Sequence, residues 1–274
     1  MRIALEVWSS DFDQVLATCH RAEELGLDGF YYGESPHDLN LECWATLAAL
    51  AQATTSIRLG PVVTNVLPSY RSTTLLIRQA AAVAAISGGR LDLRTGVGAA
   101  ARYGRDWWEP QGVDYPGYDR RLADLEAMIG ALDAAHPDIP TTIAATGQRA
   151  MNLAATRADG WETSFCTPAE YADRNRVFSD LARDRTVVRS LEIDGFLATT
   201  SPGRGRLLDR VQAERGGEDL AAVLSRALVG TPEEAAVRMA ELAAAGVDQL
   251  LVALHDPHDP DALQALARSR ALLG

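Results

Sequence analysis

The feature that most constrains this chain is an alternation of strand and helix patterns running along its whole length. Arg2 to Trp8 reads as a strand with Ile3, Leu5 and Val7 on one face. Ser10 and Asp11 offer capping side chains, and Phe12, Val15, Leu16, Cys19 and Ala22 follow at helical spacing until Gly26. The pattern then repeats. Strands are expected over Phe30–Gly33, Ile57–Thr64, Leu91–Thr95, Thr142–Ala145, Gly160–Thr163, Leu191–Thr200 and Gln249–Leu254. Helices are expected over Cys43–Ala53, Leu76–Ile86, Leu122–Leu132, Arg149–Arg157 and Pro168–Arg183. Two more run from the capping box Thr231-Pro232-Glu233-Glu234 to Ala245, and from Asp261 to Leu272.

Eight such alternations in 274 residues predict a parallel α/β sheet, most economically a (β/α)8 TIM barrel in one domain spanning 1–274. A recurring junction favours the closed barrel over an open sheet. Leu25-Gly26-Leu27-Asp28-Gly29-Phe30, Arg157-Ala158-Asp159-Gly160-Trp161 and Ala245-Gly246-Val247-Asp248-Gln249-Leu250 each end a helix and turn through an Asp into a strand. No Pro/Gly/Ser-rich linker divides the chain. Ala100 to Tyr118, with Tyr103, Trp107, Trp108 and Tyr115, is too aromatic for an idle connection, and Ser201 to Ala221 reads as an insertion before the last unit.

Composition narrows the function. The formal net charge is −11, which argues against a nucleic-acid binder. No apolar stretch approaches the ~20 residues of a membrane span, and the N-terminus does not read as a signal peptide. Cys19, Cys43 and Cys166 are dispersed and odd in number, as expected of reduced core thiols in a cytoplasmic protein. The Gly-x-Ser-x-Gly elbow, the phosphate-binding Walker loop, His-Glu-x-x-His and paired Cys-x-x-Cys are all missing.

In a barrel, chemistry collects where strands end. The fifth strand runs into Ala145-Thr146-Gly147-Gln148-Arg149, where free N–H groups at a helix start suit a phosphate, although an ordinary turn would look the same. Gly96-Val97-Gly98 ends the fourth strand but lacks the spacing of a dinucleotide fingerprint. Glu34 and His37 follow the second strand and could handle a proton, or merely solvate a loop. Tyr103, Trp107, Trp108 and Trp161 could shape an apolar substrate pocket, or serve as core or interface anchors. His255-Asp256-Pro257-His258-Asp259 resembles a metal cluster in composition, but its prolines mark a rigid turn, and no metal is expected.

Three blocks carry a family resemblance. They are Ile57-Arg58-Leu59-Gly60-Pro61-Val62-Val63-Thr64-Asn65; Gln79-Ala80-Ala81 leading through Ile86-Ser87-Gly88-Gly89-Arg90-Leu91 to Gly96-Val97-Gly98; and Ala144 to Ala150 followed by Ala158-Asp159-Gly160-Trp161. In order and spacing the chain resembles the bacterial luciferase-like monooxygenase superfamily, closely over 1–165 and more loosely beyond. The resemblance implies a barrel that binds FMN or the deazaflavin F420 and acts as a monooxygenase, reductase or dehydrogenase on a small organic substrate. It places a non-prolyl cis peptide at Val62–Val63 under the ring, with Thr64 and Asn65 at the ring edge. Gly96, Val97 and Gly98 would run along the cofactor, and Ala145, Thr146, Gly147 and Gln148 would form the phosphate turn. The Gly60–Asn65 run looks closest to deazaflavin-dependent members. The resemblance also implies a homodimer, and for some members a separate cofactor reductase.

Two departures stand out. Ser35 occupies the place where many members carry His, and Ala99 the place where sugar-phosphate dehydrogenases carry Glu. The rival readings are a cofactor-independent lyase or isomerase acting on a phosphorylated substrate, and a non-catalytic flavin-binding protein.

Overall fold

The computed structural model describes residues 1–36, 40–214 and 219–273. Its strands are β1 (Arg2–Val7), β2 (Gly29–Gly33), β3 (Arg58–Val62), β4 (Thr64–Asn65), β5 (Leu93–Gly96), β6 (Thr141–Ala144), β7 (Gly160–Ser164), β8 (Val188–Leu197), β9 (Leu228–Gly230) and β10 (Gln249–Leu254). All pair in parallel, in the order β3-β2-β1-β10-β8-β7-β6-β5-β4, with β9 set against the end of β8. β3 and β4 are two halves of one ring position, separated at Val63 by a cis Val62–Val63 peptide. β3 pairs with β2, β4 pairs with β5, and a bridge from Leu59 to Leu91 closes the ring. The expected (β/α)8 barrel is therefore formed, with β9 as an addition that the sequence pattern did not signal.

The helices that matter for the site are α1 (Phe12–Glu24), α2 (Cys43–Ala53), α3 (Thr73–Ser87), α4 (Ala101–Trp108), α5 (Tyr118–Ala135), α6 (Gln148–Arg157) and α7 (Pro168–Ala182). The aromatic segment after β5 thus folds as α4 and a short 3-10 turn over Glu109–Gln111. The polar insertion is itself helical: α8 (Ser201–Glu214) and α9 (Leu220–Ser225) lead into β9 and α10 (Pro232–Ala244), before β10 and α11 (Pro260–Ala271) finish the chain. Among the described residues no helix is long and apolar enough to cross a membrane.

The three recurring Asp junctions do the same work. Asp28 Oδ2 accepts the Ile3 N–H at 2.7 Å, Asp159 Oδ2 the Thr141 N–H at 2.9 Å, and Asp248 Oδ2 the Arg189 N–H at 2.9 Å. The N–H of each Asp donates in turn to the carbonyl of that same residue, at 2.8–2.9 Å. Every junction therefore fastens a new strand to the start of its ring neighbour and satisfies backbone groups at the barrel floor.

The two faces of the ring differ. Outward residues such as Ile3, Leu5, Val7, Phe30, Leu59 and Ile143 pack with the helices in the main core, where Cys19, Cys43 and Cys166 are buried free thiols. The inner face carries only a small apolar cluster of Ala4, Tyr31, Val62 and Leu251. The rest of the interior is polar. Arg94 lies 4.3 Å over the Tyr31 ring, donates to Asp92 at 3.2 Å and to Ser190 at 3.1 Å, and pairs with Glu162. Burial pushes the Asp92 carboxyl up, but the Arg94 charge, with hydrogen bonds donated by Tyr31 and Thr142 to its two oxygens, outweighs this and holds it below its ordinary range.

Candidate active site

A cavity of about 500 Å3 opens at the end of the barrel where the strands finish, a size typical of small-molecule sites. One wall comes from the split strand and the two strands after it. Val62, Val63, Asn65, Gly96, Val97, Gly98, Ala145, Thr146 and Gly147 all line the cavity. Gly98 has φ +75°, and a Cβ there would lie 2.4 Å from the Tyr115 hydroxyl, so both backbone and space demand glycine. A Cβ on Gly96 would crowd the Ala144 carbonyl at 3.1 Å. This Gly-x-Gly pair is therefore explained by close strand packing.

Gly147 is the N-cap of α6 and no side chain caps that helix, so its first-turn N–H groups are unclaimed by the chain. Thr146, Gly147 and Ala150 of this turn face the cavity. Arg121 faces it too, buried and donating all its bonds to the carbonyls of Val97, Pro116 and Ala99. No carboxylate among the described residues pairs with its guanidinium, so its positive charge adds to that of the helix terminus. Arg149, by contrast, points outward and pairs with Asp119 on the surface.

Glu34 lines the cavity but both its carboxylate oxygens are engaged. Thr64 Oγ1 and the Asn65 N–H donate to Oε2, the latter at 3.2 Å, and Arg71 pairs with Oε1. Burial is the largest influence on this carboxyl and raises it above its ordinary range, against the pull of Arg71 and Thr64. Thr64 itself sits behind the wall, accepting from Trp44 Nε1 at 3.1 Å. The Glu34–Arg71 pair thus fastens the turn after the cis peptide to the second strand. His37 lies outside the described residues.

The aromatic candidates divide. Trp107 lines the cavity while half exposed. Tyr103 is exposed on α4 and stacks under Arg102 at 4.4 Å. Trp108 is turned the other way, into a small buried cluster with Leu67, Val113 and Tyr115. Trp161 does not reach the cavity. Outward on β7, it is fully buried, stacked on Phe178 at 4.3 Å, with its indole N–H given to the Ala145 carbonyl at 2.8 Å. Strand alternation decides this, because it is the next residue, Glu162, that points inward. Gln148 faces a separate groove on the outside of α6.

Four residues on the cavity wall, Glu6, Glu162, Glu192 and Arg121, were not singled out by the sequence. Glu6 Oε1 accepts from Trp8 Nε1 at 2.6 Å, and Trp8 also lines the cavity. Burial pushes the Glu6 carboxyl up to about 7, and nearby Glu162 and Asp194 push the same way. Glu192 is raised well above the usual carboxylate range, first by burial, then by Glu6, Glu162 and Asp194. A readable signal existed: Leu5-Glu6-Val7, Trp161-Glu162-Thr163 and Leu191-Glu192-Ile193-Asp194 put acids at alternate positions of buried parallel strands, where apolar runs are the rule.

The fold and this cavity define the class: the chain is a parallel α/β barrel, similar in fold to luciferase-like enzymes, with a polar pocket at the strand ends. Residues 4–129 match the model of the luciferase-like monooxygenase family, so the resemblance carried by the Ile57–Asn65 and Gln79–Gly98 blocks holds. Among solved structures, an F420-dependent secondary alcohol dehydrogenase in complex with an F420-acetone adduct is similar with TM-score 0.81 at 14% identity, covering 100% of this chain and 99% of that one. EDTA monooxygenase from Chelativorans sp. BNC1 matches with TM-score 0.81 at 12% identity, covering 100% and 93%. The FMN-complexed oxygenating constituent of 3,6-diketocamphane monooxygenase from the CAM plasmid of Pseudomonas putida matches with TM-score 0.77 at 17% identity, covering 98% and 96%. At these identities the likeness is one of fold.

Proposed function

We propose that the chain is an oxidoreductase that binds FMN or F420 in the barrel-mouth cavity and acts there on a small organic substrate. The observation that carries this reading is the convergence on one cavity of an uncapped helix start at Gly147, the buried guanidinium of Arg121 and the Val62–Val63 turn. The residues present fit such a group. The α6 amides and Arg121 suit a phosphate. The side-chain-poor strip of Gly96, Val97 and Gly98 leaves room for a flat ring against Val62 and Val63. That ring system supplies hydride transfer and, in FMN, the reactivity toward oxygen.

The chain's own residues position and shield. Glu34, held by Arg71 and Thr64, fixes the Asn65 backbone and so the wall on which a ring would lie. Trp107 on α4 lines the cavity while half exposed, and its ring would shield a bound group from water. Glu6, with a carboxyl that titrates near neutral pH, can hold or release a proton at Oε2, its oxygen left without a partner. Titration of the purified protein with FMN and with F420, followed by ring absorbance, tests the reading. Saturable binding of either one is expected. Failure of both to bind refutes it.

A further inference from the structure

The inner wall of the barrel carries more acid than it can neutralise. Arg94 is spent on Asp92 and Glu162. Glu6 and Glu192 also face the cavity, and neither forms an ion pair among the described residues. Asp194 lies close enough to raise both. Two oxygens here are buried without a hydrogen-bond partner: Glu6 Oε2 and Glu162 Oε1, on side chains only 6% and 1% exposed. Leaving such atoms unpaired is costly, and native sites that do so commonly complete the pairing with a ligand.

The placement says which ligand. β1, which carries Glu6, stands four ring positions from β6, which leads to Gly147, whichever way the ring is followed. The cavity therefore has a cationic end at the helix start and Arg121 and an acidic wall of Glu162 on β7, beside β6, Glu192 on β8 and Glu6 on β1, the last directly across the ring. The anionic carboxylates do not form a group able to hold a metal ion. Trp8 lines the cavity beside Glu6, and an indole next to a carboxylate suits an organic cation.

Resting on the reading of this cavity as a cofactor and substrate site, we propose that its substrate is an amine, whose ammonium group docks against Glu6, Glu162 and Glu192. The free oxygens of Glu6 and Glu162 accept from the ammonium, the docked positive charge draws the buried Glu192 carboxyl toward its ionised form, and the apolar part of the substrate extends toward Trp8 and Trp107.

Calorimetric titration of the purified protein, with whatever cofactor it retains, tests this with three probes of one shape: benzylamine, benzyl alcohol and benzoate. Benzylamine is expected to bind at least about tenfold more tightly than benzyl alcohol, and benzoate more weakly than either. Glu192→Gln and Glu6→Gln should each weaken benzylamine about tenfold and leave benzyl alcohol within about twofold. Raising the pH through about 7 should strengthen benzylamine binding in the wild type and do so less in Glu6→Gln, where Glu162 and Glu192 remain to ionise. Equal binding of amine and alcohol, no amine binding, or amine binding indifferent to both substitutions overturns the proposal. FMN and F420 titrations on the same samples separate the two claims. Cofactor binding without amine preference sinks only the substrate class. Amine preference without cofactor binding sinks only the oxidoreductase reading.

Discussion

Glu6 makes a quantitative prediction about stability. Its carboxyl rises from an ordinary 4.5 to about 7 in the folded chain, chiefly through burial. It therefore binds its proton more tightly when folded than when unfolded. The stability this contributes is complete below about pH 4.5 and is lost as pH climbs through about 7. At about 1.4 kcal/mol per pH unit, the loss is about 3.5 kcal/mol once the group is ionised in both states. Glu6→Gln removes that loss while keeping an oxygen to accept from Trp8 Nε1. The new amide N–H2 takes the place of an oxygen that has no partner, which returns about 1 kcal/mol of cost. The variant should then be more stable than wild type by about 1–3 kcal/mol at about pH 8, and close to equal at about pH 5. With roughly 2 °C per kcal/mol for a chain this long, its Tm should rise by about 2–6 °C at the higher pH only. Differential scanning calorimetry of both proteins at both pH values reads this directly. A lower Tm for the variant at about pH 8, or the same difference at both pH values, would show that Glu6 is not a buried, costly acid.

Three further outcomes follow from the same geometry. Arg71→Met strips the buried partner from Glu34 and should cost about 3–5 kcal/mol in urea unfolding; a loss under about 1 kcal/mol would mean the pair contributes little to holding the β3–β4 turn. Gly147→Asp has space, since a Cβ there meets only the Tyr118 hydroxyl at 3.7 Å. It should cap α6 and leave the Tm equal or higher, yet weaken FMN or F420 at least about tenfold by claiming the amides and repelling phosphate; unchanged cofactor affinity would place the phosphate elsewhere. Trp161→Ala should behave as a core truncation, costing about 3–5 kcal/mol by chemical denaturation, because the indole is sealed against Phe178; a stable variant with altered substrate preference would return Trp161 to the substrate site.

The contrast between Trp161 and Glu162 shows where sequence reading stops. Both sit in one strand, and the strand itself was legible. Which of the two faces the cavity depends on strand register around a closed ring, and a shift of one residue exchanges them. An aromatic side chain looks like a pocket residue by type, whereas here it fills the layer between sheet and helices. Trp107 and Trp108 divide in the same way, one to the cavity and one to a buried cluster, since adjacent residues on α4 point about 100° apart.

Sequence alone determined what is local or periodic. The strand–helix alternation dictated a parallel barrel, the three Asp junctions marked where strands are fastened, and the Ile57–Asn65 and Gly147 blocks marked turns around one cavity. Tertiary structure decided what depends on convergence. Only closure of the ring set Glu6 of the first strand around one cavity with Glu162 and Glu192 from the second half of the chain, and only packing left Arg121 facing it without a carboxylate partner among the described residues. The reason is that pattern fixes which residues form an element, but the charge balance of a cavity is a sum over elements that meet only when the sheet closes.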